Sequence, residues 1–429
     1  MTLLSRVTMP GQVWSVAAPD PSGPLYVTSY GASPLETVVT VADLSGSVVW
    51  QRTFAGTGRP RSRLSADGTL WIAYPDRTGR VLEGVLPDGS TGPTVVPECG
   101  PDEEVGAFVL LDDGFCVAWT GASRLLRSSR TRRAQGARRT QRAQRAPVPR
   151  APLPRPRVAR YTREGACLWS TPVVLGAVSY PGVLGMSAET GWETRPLPPW
   201  VPEEVGVDHW EPLLVSGDRV AAGFSDTRGR IGRTFFLDLG SGEIVSATSP
   251  APTGRKAIAG PGEFLIGSQG YGAFTTGRHG RDGGETARWA SHGAMLVNGQ
   301  GTICGPELEN GPTSTSRFRR LAQDNTLVDG PSLTGYYTSC PAMDREGTTV
   351  FWRDGKLLAV DADLAPHELF AMDDSRNVLG RTLLLGDGRV VVSLDSEVLV
   401  LAFPSTLGPL AEGPWPCGDA NLLGNPVLD

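Results

Sequence analysis

Apolar residues recur at alternate positions along this 429-residue chain, in runs of five to seven broken by glycine-centred turns. That is the period of half-buried β-strands. No extended apolar period of 3.6 residues occurs, so long helices are not expected. The clearest stretch is residues 42–51, ADLSGSVVWQ, which reads as strand, tight turn and strand, with Trp50 closing the second strand. Residues 64–74 (LSADGTLWIAY), 108–119 (FVLLDDGFCVAW) and 381–394 (RTLLLGDGRVVVSL) each predict two strands joined across a short turn.

The turns keep a rhythm. They centre on Gly23, Gly68, Gly114, Gly217, Gly262, Gly301, Gly347 and Gly388, with steps of 45, 46, 45, 39, 46 and 41 residues and one long step from Gly114 to Gly217. Periods of roughly 40 to 50 residues, each holding several strands, are those of propeller blades. One four-stranded sheet cannot bury both its faces alone; packed radially, each covers its neighbour and leaves only short edges. The prediction is an all-β chain, a single β-propeller over residues 1–429, with about eight four-stranded blades. Seven is the alternative, because the unit around Gly301 is the weakest. The last unit, residues 381–404, shows three clear strands, and residues 3–9 are expected to add the fourth and close the ring.

Composition fits this picture. The 54 glycines and 36 prolines suit many short strands and turns. The long step holds two insertions. Residues 124–160 carry thirteen arginines, no acidic residue and a proline-rich end; against a formal net charge of −5 for the chain, the remainder carries −18. With little apolar content this segment is expected to stay disordered. Residues 188–212 carry Trp192, Trp200 and Trp210 among prolines and acids, and are expected to form an ordered excursion on one face. No apolar stretch reaches the roughly 18 to 20 residues that cross a bilayer, and the first residues lack a secretory signal pattern. A soluble, cytoplasmic protein is expected. Arginine outnumbers lysine 38 to 2, which points to a GC-rich, bacterial source. The six cysteines are scattered without a C-x-x-C pair and should be free, with no zinc site.

Three segments carry a resemblance: ADLSGSVVWQ, YTREGACLWS at residues 161–170 and LDLGSGEIV at residues 237–245. They resemble the pyrroloquinoline-quinone-like repeat of quinoprotein alcohol dehydrogenase-like propellers. In that family an aspartate precedes a turn glycine, and a tryptophan four residues after the glycine docks between adjacent blades. Gly46 with Trp50 and Gly165 with Trp169 keep that spacing. Asp238 and Gly242 match the first half with Ser246 at the tryptophan position, and Tyr161 replaces the aspartate of the second copy. The resemblance implies a docking role for these tryptophans. It does not bring the cofactor: the family's dehydrogenases use a catalytic aspartate, calcium ligands and, in several members, a cysteine pair. This chain has no Cys-Cys dipeptide and no matching calcium motif, so the non-catalytic branch is expected, with no cofactor.

Other chemistry is sparse. SADGTLW at residues 65–71 is close to the Asp-box of sialidases but one residue short, and reads as a hairpin with Trp71 in the core. Neither a G-x-S-x-G elbow nor a phosphate-binding P-loop occurs. Four histidines exist; His209 and His279 are expected in exposed loops. The arginine run, with Arg132, Arg133, Arg138 and Arg139, could bind an anion or an acidic partner. It lacks aromatics to stack bases, so nucleic acid is not expected as a partner. The function expected is a monomeric, non-catalytic scaffold with a protein partner, held through Trp192, Trp200 and Trp210. The alternative is a propeller enzyme (hydrolase, lyase or quinone-dependent oxidoreductase) with its site at the mouth of the axial channel.

Overall fold

The computed structural model describes residues 2–33, 36–55, 61–75, 80–100, 103–121, 155–178, 183–187, 191–195, 199–227, 231–270, 273–290, 295–307, 316–322, 324–334, 338–372, 380–404 and 407–429. Among them are strands and one 3-10 turn, Gly386–Gly388, and no α-helix. The strands fall into four-stranded antiparallel units. In chain order these are unit one (residues 13–55), two (62–95), three (103–172), four (213–247), five (251–289), six (296–333), seven (342–371) and eight (382–402). Seven of the eight turn centres read from the sequence lie between the first and second strands of one unit, and Gly114 begins the second strand of unit three. Units four and five also share a short pairing, Ile231 with Pro252 and Gly232 with Ala251.

Unit eight takes its fourth strand from the other end of the chain. Thr2–Thr8 pairs antiparallel with Glu397–Ala402, and Arg6 grips Glu397 through Nε at 2.8 Å and Nη2 at 2.7 Å. Apolar side chains then fill every junction between neighbours. Tyr26 and Val39 of unit one pack with Leu70 and Val85 of unit two, and Leu82 of unit two with Phe108 and Tyr161 of unit three. Val109 and Cys116 of unit three meet Val220 and Phe235 of unit four. Phe236, Ile258, Phe318 and Phe351 run one core through units four to seven. Trp352 joins unit seven to Val390 and Leu399 of unit eight; Val391 and Leu383 return to Val16 and Val27 of unit one. The circuit closes, with neighbouring units covering each other's apolar faces among the described residues.

The repeat itself has a physical basis at residues 42–51. Asp43 accepts hydrogen bonds from the Ser45 hydroxyl at 2.6 Å and the Ser47 N–H at 2.9 Å, which hold its carboxyl below the usual carboxylate range, the Ser45 hydroxyl contributing most. Gly46 adopts φ +92°, a left-handed conformation that favours glycine. The turn delivers Trp50 to the next unit, where its Nε1 donates to the Pro87 carbonyl at 2.8 Å and its ring lies against Gly89. Trp169 of unit three repeats the contact on unit four, with Nε1 donating to the Leu239 carbonyl at 2.8 Å and the ring against Gly242. Ser246, at the same repeat position, lies against Gly283 of unit five.

Both insertions have different limits from those expected. Arg157–Thr162 is the third strand of unit three, so the basic insertion ends before residue 157. Arg157 is held there by Glu103 at 2.8 Å and by stacking over the Trp119 ring, contacts that composition does not report. Arg132, Arg133, Arg138 and Arg139 lie outside the described residues. Within residues 188–212 the chain makes half of a hairpin, Val183–Ser187 with Gly191–Arg195. An isolated bridge between Val178 and Trp200 follows, and then Val205–Val207 pairs with Arg219–Asp226 of unit four.

Candidate functional site

The first strands of the units approach one another around the centre of the ring, and their inner edges carry N–H and C=O groups that need partners. The segment after unit eight supplies them. Residues 408–412 bond to unit seven and Gly299, and Trp415 pairs with Val297 of unit six. Cys417 pairs with Ala342 of unit seven, and Arg381 of unit eight donates to the carbonyls of Gly418 and Asn421. The carbonyls of Leu422 and Leu423 accept from Ala18 N–H and Leu64 N–H of units one and two. Asn425 bonds to Leu110 of unit three. Val427–Leu428 finally lies parallel to Leu213–Ser216 of unit four. The tail thus follows the inner edges around the ring, with Trp415, Cys417 and Ala420 buried.

The tail lies where the alternative reading, an enzyme site at the mouth of the axial channel, would gather its residues. The inner cations already have partners: Arg63 donates to the Gly424 carbonyl at 2.6 Å, and Asp419 stands 3.7 Å from Arg63 and 3.9 Å from Arg381. The tail escaped sequence reasoning because it pairs in bridges of one or two residues, without an alternating pattern. Its glycines and prolines read as loop.

A second cluster lies where residues 208–212 interrupt the inner edge of unit four and press on unit five. Lys256 Nζ is 2.7 Å from Asp208 Oδ2, with side-chain exposures of 2% and 1%, and it donates to the Trp210 carbonyl at 3.1 Å. Glu211, at φ +36°, accepts from Lys256 N–H at 3.0 Å and from Arg255 Nη1 at 3.2 Å. Burial pushes its carboxyl above the usual range even with Arg255 beside it. Arg255 also stacks 4.0 Å over the Trp210 ring and donates to Cys340 Sγ at 3.1 Å. A Cβ on Gly223 would overlap both the Asp208 carboxylate and Lys256 Cε, so glycine there makes room for the pair.

The Asp208–Lys256 pair is also part of the wall of a cleft of about 390 Å³ between units four and five. His279 and Glu285 face the same space. His279 was expected in an exposed loop; it is buried as the last residue of the strand Ala273–His279. Its Nδ1 is 3.1 Å from the Gly283 carbonyl and its Nε2 is 4.0 Å from Glu285. Burial holds its pKa below the ordinary histidine value. The nearby Asp-Gly turn suggested a loop, but the strand runs to the turn's edge. His209 is half-buried, edge-on to Trp210.

Of the three tryptophans singled out in the sequence, Trp200 and Trp210 lie in different surroundings. Trp210 belongs to the inner charge cluster, and Trp200 packs against the core of units three and four. Trp192 lies on the hairpin strand Gly191–Arg195. All six cysteines are free and four are buried, Cys116 with its thiol pushed up to about 12 by burial.

Among solved structures the Dos1 propeller aligns over 96% of this chain and 97% of its own, at 11% identity and a TM-score of 0.55. The fold is a β-propeller. Other propellers align more loosely: the Cps50 (Swd1) domain of Myceliophteria thermophila at 10% identity, covering 92% of this chain and 98% of that one with a TM-score of 0.44, and the Pan2 WD40 domain of Neurospora crassa at 10%, covering 81% and 91% with a TM-score of 0.40. No family model and no curated protein matches the chain. At such identities a propeller likeness concerns architecture, and activity has to be argued from the site. Among the described residues no helix of this propeller is long and apolar enough to cross a membrane.

Proposed function

We propose that this chain is a non-catalytic interaction scaffold: an eight-bladed propeller of pyrroloquinoline-quinone-like repeats, working without a cofactor, that holds a protein partner at its periphery. The filled axis carries the reading. Where other propellers can gather side chains from several blades at an open mouth, here Arg63 and Arg381 are engaged by the chain's own tail, through the carbonyls of Gly424 and Gly418 and the carboxylate of Asp419. A ring fastened at both its outer and inner edges offers a rigid platform, and recognition falls to the elements that depart from the repeat. The hairpin between units three and four is one such departure. It carries Trp192, and Val174 and Val201 near its base are well exposed, at 62% and 72%. Tryptophan is enriched among the few residues that dominate interface energetics.

The test is affinity purification of the full chain followed by cross-linking. A stoichiometric protein partner should cross-link near residues 174–201 and be released by Trp192→Ala with Val201→Asp, the latter at an exposed position. A chain that purifies alone, or a partner retained by that double variant, would contradict the reading.

A further inference from the structure

The junction of units four and five is built in two halves. Toward one end it is an ordinary apolar core of Phe236, Ile258 and Phe264. Toward the other, the same sheets face each other with Gly232, Gly254, Gly267 and Gly277 and with the hydroxyls of Thr234 and Ser268, and a cleft of about 390 Å³ remains. Apolar side chains would have closed this gap and stabilised the ring. Instead the cleft is lined by the buried Asp208–Lys256 pair, and burying such a pair is a weak source of stability. A space of this size with a few convergent polar groups is the form of a small-ligand site.

The unanswered polar groups state what the ligand must offer. Lys256 balances the charge of Asp208 from 2.7 Å, yet neither carboxylate oxygen accepts a well-formed hydrogen bond among the described residues. Arg233, on the strand Ile231–Asp238 of unit four, also lines the cleft and has a buried Nε with no hydrogen-bond partner among the same residues. The first needs a hydroxyl donor and the second an anionic acceptor. Arg288 at the cleft is held by Glu285 at 2.5 Å and is less free to take an anion. No Phe, Tyr or Trp is among the described lining residues, so a nucleobase would have nothing to stack on.

We propose that this cleft binds a small hydroxylated anion, of the sugar-phosphate or sugar-acid type, with its anionic group at Arg233 and a hydroxyl donating to Asp208. The inference stands apart from the scaffold reading, since the cleft lies within the ring and the hairpin outside it.

Calorimetric titration of the full chain with ribose 5-phosphate, gluconate, glucose and inorganic phosphate tests it. One of the two hydroxylated anions should bind, and which one tells phosphate from carboxylate recognition. Glucose and inorganic phosphate, each lacking one required group, should bind at least about tenfold more weakly, as should the better anion to Arg233→Gln. Ser268→Leu, which fills the cleft without removing a charge, should abolish binding while leaving the melting curve cooperative. The proposal is overturned if none of the four probes binds, if inorganic phosphate binds as well as the hydroxylated anion, or if binding survives in both variants.

Discussion

Asn425 and Leu110 form a matched pair: the Asn425 Nδ2 donates to the Leu110 carbonyl at 2.9 Å, and the Leu110 N–H donates to Asn425 Oδ1 at 3.0 Å. A side-chain amide here does the work of a neighbouring strand, answering both backbone groups of one residue on the inner edge of unit three. Asn425→Ala leaves that donor and acceptor without partners and should cost about 1–3 kcal/mol. Asn425→Asp should lose part of this, because a carboxylate accepts from the N–H but cannot donate to the carbonyl. Urea unfolding of the two variants checks the order; equal and negligible losses would show that the contact carries no weight.

Gly89 combines two constraints that a cycle of substitutions separates. It has φ +84°, and a Cβ added there would approach the Trp50 ring to 2.9 Å. Gly89→Ala should therefore destabilise by more than about 1 kcal/mol. In a Trp50→Ala background the steric part disappears while the backbone part remains, so the second cost should be smaller than the first. Equal costs would mean that the tryptophan does not press on this turn.

Lys256→Met removes the cation that balances Asp208 in a buried setting. It should destabilise by about 3–5 kcal/mol, and adding Asp208→Asn should recover much of the loss. If Lys256→Met alone is neutral in thermal unfolding, the pair is not buried as described.

His279 makes stability depend on pH. Its folded pKa is lowered, chiefly by burial, against the accepting Gly283 carbonyl and the Glu285 carboxylate, with Arg288 adding to the lowering. Between the folded value and the ordinary one near 6.5 the unfolded chain binds more protons, so stability rises with pH. The contribution is complete above the ordinary value and is lost progressively as pH falls from there through the folded value. His279→Gln should flatten the slope of stability measured between about pH 5 and pH 7. An unchanged slope would place the dependence elsewhere.

The architecture was legible because it repeats. Turn glycines such as Gly46 and Gly165 take positive φ, and strand alternation marks which face is buried, so the sequence pattern alone assigns residues 3–9 to the last unit. The finer features were hidden for different reasons. Asp208 and Lys256 are far apart in sequence and meet only because two sheets are neighbours. Asn425 sits in a run that reads as loop, and its partner Leu110 is a strand residue more than three hundred positions away. Trp200 and Trp210 looked alike by composition, yet one joins a core and the other lies beneath an arginine. Periodicity reports local geometry, whereas these contacts depend on closing the ring.

The account turns on the tail. Hydrogen exchange of the full chain measures it most directly, since buried hydrogen-bonded amides exchange only on opening of the surrounding structure. The amides of Ala411, Trp415 and Val427 donate to carbonyls of Met343, Val297 and Asn425, and those of Ala411 and Trp415 should be protected to the level of the ladder amides of second strands such as Leu70–Pro75 and Arg219–Asp226. Exchange of residues 407–428 at the rate of an unstructured peptide, with those second strands still protected, would contradict it.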